Sequence, residues 1–311
     1  MRRLLYQMTT TNFVKKFDGK RWLAAIKLPI YSVAIAPITL GTAVAYCDTG
    51  RWLPSHFWSF IGAAVCILTW LNTSNDVFDD DTGIDVNKDS SYVKVVGNKV
   101  LVFWASNAFL LLGLAGIGAI AWWQQDWTVL GLIVLAVALG YSYQGPPFRL
   151  GYLGLGEPIC LLSFGPVAVA AAYYAQTQTV SPSALVASLA VGSSTSLILF
   201  CSHFHQVADD IAAGKRSPVV RLGTQRAARL LPWIVASPFA VVAIGVVLGM
   251  FSPWTLLIVA SAPVAVELVR HVNAEHARPE RVSNCKFIAA KLHIQSSILL
   301  CLGFVLVQWL H

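Results

Sequence analysis

The sequence predicts an all-α, polytopic membrane protein with nine transmembrane helices, and three observations lead there. Of its 311 residues 56% are apolar and only 12% charged, against about 45–50% and about 25% in an average soluble domain. Mean hydropathy is +0.64. Nine apolar runs reach the roughly 18 residues needed to cross a bilayer. Backbone facing lipid must satisfy its own hydrogen bonds, so each run is expected to be a helix.

Taken in order, residues 1–28 carry Arg2, Arg3, Lys15 and Lys16 without a long apolar core. They read as a short cytosolic tail rather than a signal peptide. Residues 29–311 read as one transmembrane domain. Its first span is expected over 29–47, entered through Lys27-Leu28-Pro29, and its second over 56–78, running into an acidic stretch. The third and fourth lie at 100–122 and 127–144, the fourth ending in the aromatic loop "YSYQGPPFRLGYLGLGE" (141–157). The fifth, 154–175, contains Glu157 near its start, which either stabilises the helix N-terminus or orients a base. The sixth, 183–204, ends in a second acidic stretch; the last three lie at 229–249, 252–269 and 288–310. The six cysteines, Cys47, Cys66, Cys160, Cys201, Cys285 and Cys301, sit in or beside spans without metal-like spacing, so apolar packing is expected.

Orientation follows from the basic residues. The tail and the loops after the second, fourth, sixth and eighth spans hold 21 of the 22 Lys and Arg residues; Arg51 is on the other side. That asymmetry puts the tail and even-numbered loops in the cytosol or its equivalent, facing anionic lipid. The net charge of +7 is thus a property of one face. Nucleic-acid binding is excluded as a reading, because no soluble domain exists to carry it.

The stretch after the second span, "LNTSNDVFDDDTGIDVNK" (71–88), has a partner. Both "NDVFDDDTG" (75–83) and "HQVADDIAAG" (205–214) carry a valine and an Asp-Asp pair at matching offsets. Each ends a span, and four spans lie between, so both open on one face. Such weak internal symmetry points to related half-bundles with a site between them. At about 100° per residue, Asn72, Asn75, Asp76, Asp79 and Asp80 share a helical arc of roughly 140°. Ser202, His205, Gln206, Asp209 and Asp210 make the matching arc, while His203 falls outside it and reads as a packing residue. Asp85 joins the first group if Gly83 ends the helix and turns the chain back. Carboxylates so close repel unless they bind protons or cations. Hard oxygen donors without paired His or Cys favour Mg²⁺ completed by water and phosphate oxygens. Lys88, Lys94, Lys99, Lys215, Arg216 and Arg221 stand nearby, suited to phosphate charge. The combination describes a site for an amphiphile with a diphosphate head.

These residues resemble the UbiA superfamily of intramembrane aromatic prenyltransferases. Its NDxxD motif is matched by Asn75, Asp76 and Asp79, with Asp85 as the further acid. The spacing of Asp79, Gly83 and Asp85 is similar to the 1,4-dihydroxy-2-naphthoate branch, cyanobacterial or plastid type, as are 141–157, 205–224 and "RPERVSNCKFIAAKLH" (278–293). The resemblance implies a nine-helix bundle around a large lateral-opening cavity, with Mg²⁺, two ions by expectation, bridging diphosphate and aspartates. Asp76, Asp79, Asp85, Asp209 and Asp210 are the implied metal ligands. Asn72, Asn75 and Gln206, on the two arcs, are candidate substrate contacts, and His205 either bonds a phosphate or orders Asp209. Tyr141 and Tyr143 are candidates to stabilise an allylic cation with their ring faces. Arg149 is a candidate diphosphate or carboxylate ligand, the only base on its loop. The implied activity joins a phytyl or other polyprenyl diphosphate to 1,4-dihydroxy-2-naphthoate with loss of CO₂ and diphosphate, giving the demethyl precursor of phylloquinone or menaquinone. The family's second motif, DxxxD, has a departure: aligned on the following "AGK", its acids fall on Gln206 and Asp210. The internal repeat instead pairs Asp209 with Asp79, and both registers stay open.

Other readings compete. A homogentisate acceptor changes the branch but not the family. A cation-coupled transporter predicts acids near mid-membrane, a scaffold leaves the paired acid clusters unexplained, and a CDP-alcohol phosphotransferase lacks its long one-helix signature here. The sequence gives no protein partner. The expected location is an integral, multi-pass position in a bacterial inner or thylakoid membrane, with the site loops cytosolic.

Overall fold

The computed structural model describes residues 19–84 and 91–310. Asp85, Lys88 and residues 1–18 lie outside the described residues. All regular structure among the described residues is helical. We label the spans α1 (Leu28–Thr49), α2 (Pro54–Thr82), α3 (Lys99–Gln124), α4 (Thr128–Gln144), α5 (Gly156–Thr177), α6 (Pro182–His205), α7 (Thr224–Val247), α8 (Pro253–Glu275) and α9 (Pro279–Trp309). Eight are long and apolar enough to cross a membrane; α4, with 17 residues, is shorter. At 1.5 Å per residue α4 reaches about 26 Å, short of a hydrocarbon core about 30 Å thick. The nine sequence runs therefore appear as eight long spans and one short one.

Composition decides which span sits inside. The stretch from Ala184 to Ser196 in α6 is rich in Ala, Ser and Gly, and small residues let helices approach closely without a loss of packing. This span is the most buried of the eight, whereas less than a quarter of α3 is buried. The Leu and Trp side chains of α3 itself lie largely on its outer face, where Trp104, Leu111 and Leu112 are exposed. The crossing of α5 and α6 is close: a Cβ on Gly192 would lie 2.6 Å from the Leu161 carbonyl and 3.0 Å from the Gly165 Cα. At that level α5 loosens into a π turn, Ser163–Val167, which contains Pro166 and so lacks one helical donor. Gly192→Val is expected to lower the melting temperature in detergent, since overpacking costs about 1–3 kcal/mol. An unchanged melting curve would show that α5 can yield here.

Two local departures from an ideal helix shape the end where the acids lie. Span α2 continues for 29 residues, so its last two turns carry Asn75 to Asp81 past the apolar segment, until Gly83 (φ 74°) ends it. This is the left-handed cap that glycine tolerates. Span α6, by contrast, tightens into a 3₁₀ turn, His203–His205, before the short helix Val207–Ala212 begins. The sequence reading treated 202–210 as one continuous helix; the tighter turn changes which side chains face inward.

Candidate active site

Spans α1, α2, α4, α5 and α6, with the start of α9, enclose a cavity of about 1000 Å³. Its wall is mainly aliphatic, with Ile38, Phe60, Ile67, Leu68 and Ile133 among its residues. A smaller polar chamber of about 130 Å³ adjoins it. Asn75, Tyr143, Gln144, Ser202, Gln206 and Asp209 border both, so the two spaces share one wall.

Asp79, in the last turns of α2, faces the polar chamber. The Asn75 amide donates to its Oδ2 and the Tyr152 hydroxyl to its Oδ1 at 3.0 Å. Burial, then the charge of Asp79, pushes the Tyr152 phenol well above its ordinary value, so that it stays a donor. Asn72, Asn75 and Asp79 lie at i, i+3 and i+7, one helix edge, and only this edge of the expected arc reaches a cavity.

Asp76 is placed elsewhere. It is fully buried, its Oδ2 accepts the Tyr92 amide at 2.8 Å, and Lys27 Nζ lies 3.8 Å from Oδ1. It borders neither chamber; its visible work is to tie the short helix Tyr92–Val96 to α2. Asp80 and Asp81 are also turned out, where Lys99 bridges them at 3.0 and 2.6 Å.

The second cluster differs in detail. Asp210 is buried; its Oδ2 accepts His203 Nδ1 at 3.0 Å and the Ser217 hydroxyl at 2.8 Å. Lys215 Nζ stands 3.5 Å from Oδ1, which is buried without a hydrogen-bond partner. Burial alone would raise this carboxyl. The His203 hydrogen bond, the Lys215 charge and the Ser217 hydroxyl together outweigh it and hold the group below its usual range, ionised. Gln206 and Asp209 both border both chambers. The repeat therefore matches in sequence but not in rotation: Asp209 faces in as Asp79 does, whereas Asp210 is inside and Asp80 outside.

His203 is a residue the sequence reading assigned to packing. It borders the polar chamber, and its Nε2 lies 3.6 Å from Glu157 Oε1. Of the two roles weighed for Glu157, the geometry favours orienting a base: the half-buried Glu157 and the buried His203 and Asp210 form a line across α5, the end of α6 and the helix Val207–Ala212. Only the 3₁₀ turn makes this possible, and periodicity could not have revealed it.

The bases divide. Lys215 borders the polar chamber, and His205 borders the large cavity. Arg221 donates to the Arg216 and Leu153 carbonyls, and Arg216 is exposed. Neither borders a chamber, nor do Lys94 and Lys99. Arg149, at φ 42°, is 6.0 Å from the Tyr152 ring and also lies outside both walls. Tyr143 faces both chambers; Tyr141 instead donates to the Pro146 carbonyl at 2.7 Å and packs on Phe78. Lys27, Gln144, Tyr152 and Lys286 border a chamber and are not among the site residues expected from sequence. Lys27 and Lys286 come from opposite ends of the chain, and no local pattern joins them. Among the described residues no three of His, Cys, Asp or Glu converge as a ready-made metal site. An ion here needs oxygen from amides, water or substrate as well.

Together these elements make a helical membrane bundle with an acid-lined polar chamber beside a larger apolar one. The UbiA prenyltransferase family matches over residues 34–293, and the chain belongs to that family. It is 58% identical over 286 residues, 92% of this chain and 93% of the relative, to 2-carboxy-1,4-naphthoquinone phytyltransferase of Synechocystis sp.. The corresponding chloroplastic protein of Arabidopsis thaliana is 39% identical over 295 residues, 91% of this chain and 76% of that protein. Among solved structures, a UbiA homolog from Archaeoglobus fulgidus superposes with TM-score 0.64 at 17% identity, covering 92% of this chain and 99% of that one. This last likeness speaks to the fold.

Proposed function

We propose that this chain transfers a phytyl group, or another polyprenyl group, from its diphosphate to 1,4-dihydroxy-2-naphthoate, releasing diphosphate and CO₂. The observation that carries the reading is the shared wall: Asn75, Tyr143, Gln206 and Asp209 border both the polar and the apolar chamber. A diphosphate in one and its hydrocarbon tail in the other would place the bond between them at that wall. The volume of about 1000 Å³ is at the top of the range for drug-sized ligands, as a long chain plus a bicyclic acceptor requires. The names of the Synechocystis and Arabidopsis relatives support the acceptor class.

The donor set fits a divalent cation. Asn75, Asp79, Asp209 and Asp210 present hard oxygens to the polar chamber, and Asp210 Oδ1 is buried without a hydrogen-bond partner. Asn75, Asp79, Asp209 and Asp210 would hold Mg²⁺, by our reading two ions, whose chemistry is to neutralise charge growing on the leaving diphosphate. The protein's own groups add to this: Lys215 supplies positive charge and Tyr152 a protonated hydroxyl. The C–O bond breaks with its electron pair leaving on diphosphate, and the Tyr143 ring stands where it can steady the allylic cation. The ring carbon bearing the carboxyl group supplies the pair for the new C–C bond. Loss of CO₂ then returns a pair to the ring, so no net oxidant or proton is consumed.

The acids lie at one end of α2 and just after α6, not at mid-membrane as a transporter would require. The asymmetry of basic residues puts that end, with the tail, on the cytosolic side or its equivalent. The deciding assay supplies purified protein with naphthoate or homogentisate and with phytyl, geranylgeranyl or solanesyl diphosphate. Carboxyl-labelled naphthoate is expected to release one labelled CO₂ per product formed. Label retained in the product, or preference for homogentisate, would overturn the acceptor assignment.

A further inference from the structure

The large cavity carries polar groups that the diphosphate chamber does not use. Lys286, at the start of α9, borders the large cavity together with His205 and Phe287, and none of the three borders the polar chamber. Lys286 Nζ lies 3.4 Å from His205 Nε2 and 5.3 Å from the Phe287 ring centroid. An ammonium only donates, so Nε2 accepts and Nδ1 carries the ring proton. That Nδ1 is buried without a hydrogen-bond partner, as is the Asn72 amide nitrogen, and Asn72 borders the same cavity. Two cationic side chains, Lys286 and Lys27, and two neutral donors therefore serve a space whose walls are otherwise mainly apolar.

We infer that Lys286, steadied by His205, is the seat for the carboxylate of the aromatic acceptor. This rests on the proposed function and adds where the acceptor is held. The physical argument is desolvation: a carboxylate entering an apolar cavity loses its hydration and needs a cation placed to receive it. Lys215 serves the polar chamber, beside Asp210, Lys27 borders the large cavity but stands 3.8 Å from the buried Asp76 carboxylate, and Arg149 borders neither space. Lys286 offers charge on the hydrocarbon side, with the Phe287 ring next to it for a flat bicyclic partner. The His205 Nδ1–H and the Asn72 amide suit the hydroxyl oxygens that accompany the carboxylate. The acceptor and the diphosphate then occupy separate anion sites in communicating spaces.

The test measures steady-state kinetics of the full chain with phytyl diphosphate and two acceptors, 1,4-dihydroxy-2-naphthoate and 1,4-naphthalenediol, which lacks the carboxylate. It also measures binding of 1-hydroxy-2-naphthoate, an acceptor mimic, without donor. Lys286→Gln is expected to raise the naphthoate KM and the mimic's Kd about 10- to 100-fold, the range for one hydrogen bond to a charged group. The KM for the donor should stay within about twofold, and Lys286→Arg should restore most of the acceptor affinity. The diol should react equally with wild type and Lys286→Gln. Should Lys286→Gln fail to fold, Lys286→Met and Lys286→Arg provide the same comparison of uncharged and charged side chains. Equal effects on both acceptors, a shift confined to the donor, or no effect would each overturn the assignment. Wild type that binds the mimic through Lys286 yet transfers no prenyl group would sink the functional reading and leave this anion site standing.

Discussion

Asp79→Asn is expected to reduce kcat at least 10²-fold while leaving the melting temperature nearly unchanged. Its carboxylate faces the polar chamber, oriented by the Asn75 amide and the Tyr152 hydroxyl. Removing one preorganised electrostatic contact at a reacting centre costs about 2.7–4 kcal/mol, or 10²–10³ in rate. Asparagine keeps the size and can still accept a hydrogen bond from Tyr152, so the fold has little reason to respond. Asp76→Asn should behave in the opposite sense. It lies three residues earlier, buried against the Tyr92 amide and near Lys27, and the loss of a charge-assisted hydrogen bond there costs about 1.5–3 kcal/mol of stability. Parallel measurement of kcat and thermal unfolding separates the two. If Asp76→Asn abolishes turnover at full stability, both acids act on substrate and the division of labour drawn here is wrong.

That contrast marks where sequence reasoning stops. Hydropathy and basic-residue bias specify a nine-run membrane bundle, because spanning lipid imposes a length and a composition on each segment. The acid clusters are legible for a similar reason: carboxylates at the ends of apolar runs demand a counter-ion. What a sequence cannot carry is the rotation of each side chain once a helix departs from 3.6 residues per turn. On α2, which stays regular to Thr82, only the Asn72–Asn75–Asp79 edge of the expected arc borders a cavity. After α6 the 3₁₀ turn at His203–His205 brought His203 to the chamber beside Asp210, which the expected arc already included. The long-range partners were out of reach for another reason. Glu157 meets His203, and Lys286 meets His205, across gaps of 46 and 81 residues, so only the packing of separate spans creates them. Lys99, conversely, has the right charge near the right motif, but Asp80 and Asp81 hold it at the surface.

The second acid cluster yields the other large effect. Both Gln206 and Asp209 border the two chambers, and only one of them carries charge. Asp210 is already engaged through Oδ2 by His203 and Ser217, leaving Oδ1 toward Lys215. With one oxygen of Asp210 so committed, a cation at this side needs a further anionic donor, and Gln206 offers only a neutral amide oxygen. Asp209 is the carboxylate in position to supply it. Asp209→Asn is therefore expected to lose about 10²-fold in kcat, the lower end for one preorganised contact, and to weaken Mg²⁺ dependence measured as the half-saturating metal concentration. Returning a carboxylate next door should compensate: Gln206→Asp in the Asp209→Asn background should recover part of the rate, while Gln206→Asp alone should bring little gain. The two residues would then couple in a double-mutant cycle, as neighbours serving one charge must. A nearly silent Asp209→Asn beside an inactive Asp210→Asn would mean that Asp210 alone carries the anionic role. In that case Gln206 is a polar contact, and the site works with one carboxylate fewer than the family's DxxxD pattern provides.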